Sequence, residues 1–402
     1  MKMILKLATA LLVATLITPS ALWALNGAQL TGFTSVQESL GGSGVAAPVD
    51  IGTILSNPAG LTELPRLATF NITFAAPKTQ MNTSAAPAGN AAGLTTSNDD
   101  LIILPGGGFN IPTPWLDERI AIGFAILPVA GFSLDYANSP IGPVANAYDT
   151  HSFYGLLKMV PAVAFKINDK LSVGLAVHVD QEQFGTNIAL LSGAQTAGIG
   201  RRDSSLGIGA GVGILYKPFE KLSVGVSYTS EQWIRNFERY TDLLPQGLNF
   251  PQQATVGVSV KPIAKLLINT DFRWINWSGA GGGFGTPVAS GGLGWQDQYI
   301  GMLGVQYQPW DCLTLRTGYN YGRSAIPSTT LFANALASAI AEQHIGGGVG
   351  VRLSKAVHLD VSYVRTLSKT VTDAGTTLLG AGAGAFARQS AHQASTEMTV
   401  SF

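Results

Sequence analysis

Three groups of residues in this sequence carry side chains that chemistry could use. Ser172, His178 and Asp180 bring a nucleophile, a base and a carboxylate into one short stretch. On a strand they share a face, where successive positions lie about 6.6 Å apart and point in parallel, which suits a hydrogen-bonded wall better than a triad. Arg235 and Arg239 stand among Trp233, Ile234 and Phe237, just before a loop with Leu244 and Phe250. Apolar surface beside two guanidinium groups makes a groove able to meet a carboxylate. The same residues also fit an aromatic belt with basic residues facing lipopolysaccharide. In the third group, Pro58 fixes a backbone torsion and pushes Asn57 towards an extended conformation, from which Asn57 can bond neighbouring backbone before Ala59. That turn either anchors the segment before it or simply leads into a strand. Gly42, Gly44 and Ala47 match a loose dinucleotide fingerprint, but no strand precedes them. No zincin, nucleophile-elbow or phosphate-loop motif occurs. Neither an enzyme nor a cofactor is expected.

The elements that must position these residues follow from composition. Only 12% of the 402 residues are charged, 46% are hydrophobic and 48 are Gly. The 24 basic and 24 acidic residues cancel, leaving no cationic excess for nucleic acid. Cys312 stands alone, which excludes an intramolecular disulfide framework and a Cys-rich metal site. Residues 1–24 read as a removable export signal, with Lys2 and Lys6 before an apolar run and Ala24 as the expected last residue. Beyond Ala24 no apolar stretch is long enough for a spanning helix. A closed β-barrel is the other structure that satisfies every backbone group in lipid.

The period-2 pattern of such a barrel recurs. Leu171, Val173, Leu175, Val177 and Val179 alternate with Ser172, Gly174, Ala176, His178 and Asp180. Comparable alternation gives about fourteen strands, at 66–76, 101–111, 119–129, 153–166, 171–186, 204–216, 221–238, 250–260, 265–277, 296–308, 313–322, 343–353, 356–366 and 393–402. Short connections such as Asn168-Asp169-Lys170 alternate with long Gly- and Ser-rich ones. That asymmetry is expected of tight periplasmic turns and long outer loops. Within 328–341, the spacing of Phe332, Leu336 and Ile340 predicts a short outer helix.

Residues 25–65 contain no comparable strand and are too few for a core of their own. Phe33 and its apolar companions there fit best inside the barrel. Gly42-Ser43-Gly44-Val45-Ala46, then Asp50, then Asn57-Pro58-Ala59, resemble the N-terminal hatch of the FadL/TodX family of outer-membrane transporters. Phe250 to Ser278, Trp295 to Pro327 and two later strands are similar to that family in the same order. The resemblance implies an all-β fold: a monomeric transmembrane antiparallel barrel over 66–402, plugged by a hatch over 25–65. It also implies passive uptake of long-chain fatty acids or aromatic hydrocarbons in a bacterial outer membrane. Sideways exit through a kinked strand is implied too, for which Gly123, Pro128 and Gly131 are candidates and Pro105 to Gly108 a rival. The expected partners are a hydrophobic small molecule and outer-membrane lipid or lipopolysaccharide, with no nucleic acid. A general polar-solute porin is the alternative; the few lumen charges favour an apolar solute.

Overall fold

The structure, a computed structural model, describes residues 25–82, 93–97, 101–114, 118–136, 150–186, 201–241, 243–335, 337–374 and 384–402. The export signal read over 1–24 lies outside them. No helix among the described residues is long and apolar enough to cross a membrane.

Fourteen long strands close on themselves. They are β1 (Leu67–Asn82), β2 (Ile102–Pro112), β3 (Ile120–Tyr136), β4 (Thr150–Asn168), β5 (Leu171–Thr186), β6 (Asp203–Phe219) and β7 (Leu222–Thr229). The circuit continues with β8 (Gln253–Ile263), β9 (Leu266–Ile275), β10 (Gln298–Trp310), β11 (Leu313–Gly322), β12 (Gln343–Arg352), β13 (Val357–Thr372) and β14 (Phe386–Ser401). Each pairs antiparallel with its neighbour, and β14 returns to β1 in register from Ser401↔Leu67 to Phe386↔Asn82. The alternation has its expected sense. Leu175, Val177, Val226, Tyr319 and Met398 are exposed on the outside, while Ala176, His178, Ser227, Asn320 and Glu397 are buried inside.

Several strands outrun their sequence spans. β1, β3 and β13 continue to Asn82, Tyr136 and Thr372, and β14 begins at Phe386. Their outer ends, such as Thr370↔Arg388 and Lys369↔Gln389, carry polar residues on both faces. Hydrophobic alternation therefore does not mark them. One strand falls well short: β7 stops at Thr229 rather than 238, and only Trp233–Ile234 rejoins β6. Gln232 turns inward there, fully buried, and bonds Lys158. The helix expected over 328–341 is instead two 3-10 turns, Ser328–Thr330 and Phe332–Asn334. Tertiary bonds take up this backbone: Ile340 and Ala341 both donate to Gln389 of β14. Leu336 lies outside the described residues.

Inside the cylinder sits the leading segment. It comprises a hairpin (Leu25–Asn26 against Gln29–Leu30), the short helices α1 (Ser35–Ser39) and α2 (Thr53–Ser56), and a 3-10 turn at Pro58–Glu63. Almost every residue of it is buried.

Candidate functional site: a filled lumen with a break in its wall

The leading segment is held by the wall at discrete points. Asp271, inward on β9, accepts from the backbone N–H of Gly44 at 2.7 Å and of Val45 at 2.9 Å. Asn57 donates to Val45 O at 2.7 Å and to Ile214 O of β6 at 3.0 Å, and accepts from Ala59 N at 3.2 Å. Pro58 follows at the first position of its 3-10 turn, where a missing N–H costs nothing. Glu38 of α1 accepts from Thr73 at 3.2 Å and from Ser362 at 3.0 Å, on β1 and β13. Burial pushes the Glu38 carboxyl up to about 7, against the pull of those hydroxyls. The same cause pushes Asp50 up to about 6, with the Thr34 hydroxyl donating to it. Gly42 turns at φ +82, and a Cβ there would lie 2.0 Å from Thr31 O. Phe33 is buried in the main apolar cluster.

Wall glycines let this backbone approach. A Cβ on Gly213 would fall 2.0 Å from Asn57 Oδ1, on Gly174 2.3 Å from Ala59 N, and on Gly225 2.1 Å from Val45 O. Gly318 and Gly346 meet α1 and Gly41 equally closely. Below this belt the lumen opens to a mouth of about 1010 Å3, floored by Ala46 to Val49 and rimmed by the short turns.

Asn57→Leu removes three bonds at similar volume and leaves the buried Val45 carbonyl and the half-buried Ile214 carbonyl without its amide. The expected loss is about 2–4 kcal/mol of local stability. It is read as at least tenfold faster hydrogen exchange across 44–60, with the amides of β13 and β14 unchanged. Unchanged exchange in 44–60 would reduce Asn57-Pro58-Ala59 to an ordinary turn.

Along β5 from its short turn, inward positions meet the leading segment at Gly174, polar residues at His178, Asp180 and Glu182, then aromatic residues at Phe184. Ser172, His178 and Asp180 are not brought together. Ser172 accepts from Thr62 at 2.9 Å, whereas Asp180 pairs with Lys158 at 2.8 Å. Buried Lys158 escaped the sequence reading, although its inward register was available there.

The outer half of the lumen is aromatic. Trp277 lies edge-on to Phe250 (5.4 Å), Phe284 (5.1 Å) and Trp295 (4.8 Å). Tyr154 stacks on Phe132 and meets Phe284 edge-on. Both indole N–H groups are satisfied, Trp277 by Gln298 at 2.9 Å and Trp295 by Asn334 at 2.6 Å. Asp297 anchors the loop that presents Trp277. Burial alone would raise its carboxyl, but bonds from Ser278, Trp274 and Asn276 outweigh that and hold it below the usual range. Ile234, Phe237, Leu244 and Phe250 join this cluster. Trp233, Arg235 and Arg239 do not; all three are exposed.

The wall breaks between β2 and β3. Their ladder runs from Pro112↔Ala121 to Gly107↔Ile126 and ends, although β2 continues to Ile102 against β1. At that level β3 shifts register against β4 between Pro128 and Ala130. Residues 127–132 are all buried, so the in–out alternation is lost. The hairpin takes the vacated edge: Gln29 pairs with Ala130, Gly131 N donates to Ala28 O at 2.9 Å, and Leu30 packs with Ile102 and Leu104. Above, Asp135 N donates to Ser97 Oγ at 2.8 Å, so the break is a framed window. Pro128 sits at the shift and Gly131 under the hairpin. Gly123 lies in regular ladder facing Leu61. Gly106 faces Leu127 and Pro128 across the window.

A family model for outer membrane protein transport proteins (OMPP1/FadL/TodX) matches residues 11–402. Among curated proteins none matches the chain. The fold is similar to a Pseudomonas aeruginosa FadL homologue (16% identity, TM-score 0.71, 94% of this chain and 100% of that one). It is also similar to the P. putida toluene transporter TodX (13%, 0.71, 92% and 99%). The Ralstonia pickettii toluene transporter TbuX compares at 18% identity and TM-score 0.68, covering 92% and 99%.

Proposed function

The chain belongs to the OMPP1/FadL/TodX family of bacterial outer-membrane transport proteins, and from that premise we propose that it passes hydrophobic small molecules inward without an energy source. A solute enters the aromatic cluster around Trp277, displaces the hairpin at 25–30, and leaves sideways through the window beside Pro128 into the hydrocarbon of the membrane. The observation that carries this reading is the position of the hairpin. Its turn lies under Trp277, where a Cβ on Gly27 would be 2.9 Å from the indole, and its second strand covers the window at Ala130. One small element thus touches both the proposed entry site and the proposed exit.

The energetics favour such a route. Burial of apolar solute surface contributes roughly 25 cal/mol per Å2, so capture needs few polar contacts. Exit into lipid keeps that surface out of water, whereas exit through the periplasmic mouth would re-expose it. On the outer face, Ile234, Phe237, Leu244 and Phe250 extend the apolar path towards the entrance. Exposed Trp233, Arg235 and Arg239 stand where membrane lipid or lipopolysaccharide would meet them.

Paired measurements test the reading. Cells carrying the protein should take up labelled toluene several-fold faster than cells without it, while the purified protein in planar bilayers passes no large steady ion current. A large current with no gain in uptake would make it a polar-solute porin.

A further inference from the structure

Between the leading segment and the aromatic cluster, β4, β5 and the chain after β7 place charged groups in a fully buried position. Lys158 Nζ is 2.8 Å from Asp180 Oδ1, 3.0 Å from Gln232 Oε1 and 5.4 Å from the centre of the Phe250 ring. One carboxylate thus neutralises the one ammonium. Glu182, the next inward residue of β5 and 0% exposed, is a second carboxyl group, with no cation at ion-pair distance among the described residues. Neither of its oxygens accepts a hydrogen bond from the described residues, and the same holds for Asp180 Oδ2. The Tyr154 hydroxyl is a donor beside Glu182, but it reaches neither oxygen with regular hydrogen-bond geometry. The Tyr154 ring belongs to the aromatic cluster, 5.3 Å from Phe132 and 5.6 Å from Phe284.

A buried carboxyl group whose nearest donor is poorly placed is unfavourable. Surplus acceptors adjoining aromatic faces are the complement of one kind of molecule. We propose that the lumen selects aromatic molecules bearing a hydrogen-bond-donating head, a phenolic hydroxyl or a protonated amine, directed at Glu182 and Asp180 with the ring against Phe132, Tyr154 and Phe284. A bare hydrocarbon leaves the acceptors unfilled. A carboxylate head brings only acceptors to a site already rich in them, and sets an anion beside Asp180. This inference rests on the barrel being a channel for hydrophobic molecules.

The test uses the whole purified protein in detergent, with quenching of tryptophan emission as the signal. Four probes of similar size are compared: toluene, p-cresol, benzylamine and benzoate. A hydrogen bond to a charged acceptor predicts p-cresol and benzylamine at least tenfold tighter than toluene, and benzoate weaker than toluene. In Glu182→Leu, a swap of similar volume at a side chain with no regular hydrogen bond, toluene affinity holds and the preference shrinks to below about threefold. In Glu182→Gln, which keeps a neutral acceptor, the phenol preference persists and the amine preference is lost. Retained heat-modifiable gel mobility shows that each variant is folded. Toluene binding as tightly as p-cresol and benzylamine, or an undiminished preference in Glu182→Leu, overturns the inference and leaves the channel standing. Binding of none of the four removes both.

Discussion

Tying the hairpin to the wall stops transport. Gln29 and Ala130 are directly opposed in an antiparallel register, which places their Cα atoms about 4.5–5.5 Å apart. That separation lies within the range a disulfide spans. In a Cys312→Ser background, Gln29→Cys with Ala130→Cys should oxidise on export and hold the hairpin over the window. Uptake of labelled toluene is expected to fall at least tenfold, to return on adding reductant, and to be normal in either single-cysteine variant. Transport at the ordinary rate by the fully oxidised protein would show that solute leaves by another path. On the proposed route the effect is large, because the lock removes the exit itself rather than one contact along the way.

Filling the belt of small residues should do the opposite and open the barrel to water. Gly213→Val with Gly225→Val sets side chains where Asn57 Oδ1 and Val45 O now stand, at 2.0 and 2.1 Å from the first added carbon. Contacts that short force the leading segment to move. The strands themselves tolerate the change, because β-branched residues suit a pleated wall. The barrel is therefore expected to assemble with its leading segment displaced, and steady ion current in planar bilayers should rise at least tenfold. Gly301→Val is the matched control, since nothing lies within 4 Å of a Cβ there. Wild-type current in the double variant would mean that the hatch accommodates the bulk without leaving its seat.

Much of the wall could be read from residue types, because alternation of Leu175 and Val177 with Ala176 and His178 reports a surface with lipid on one side only. What could not be read depends on partners distant in the chain. The outer ends of β13 and β14 are polar on both faces, with Arg388 outside and Gln389 inside, so no hydrophobic period marks them. Which of Gly123, Pro128 and Gly131 lies at a register shift depends on how β3 meets β4 and on Gln29, about a hundred residues away, pairing with Ala130. The abundance of glycine was plain in the composition. Its purpose at Gly174, Gly213 and Gly225 needed the path of the hatch. The predicted helix over 328–341 failed for a similar reason: Asn334 and Gln389, serving Trp295 and the 340–341 backbone, override a local spacing.

The seat of α1 also constrains how this protein can be built. Ser35 N donates to Glu397 at 3.1 Å, and Glu38 accepts from Ser362, so the earliest described helix rests on the two latest strands. Its resting place does not exist until β13 and β14 have arrived and zipped onto β1. Synthesis order and assembly order therefore run against each other: a segment made first must be kept loose and then enclosed as the last seam shuts. Contacts so remote in sequence slow folding, and a periplasmic holdase that shields the early segment would be expected to matter more here than for a barrel without contents.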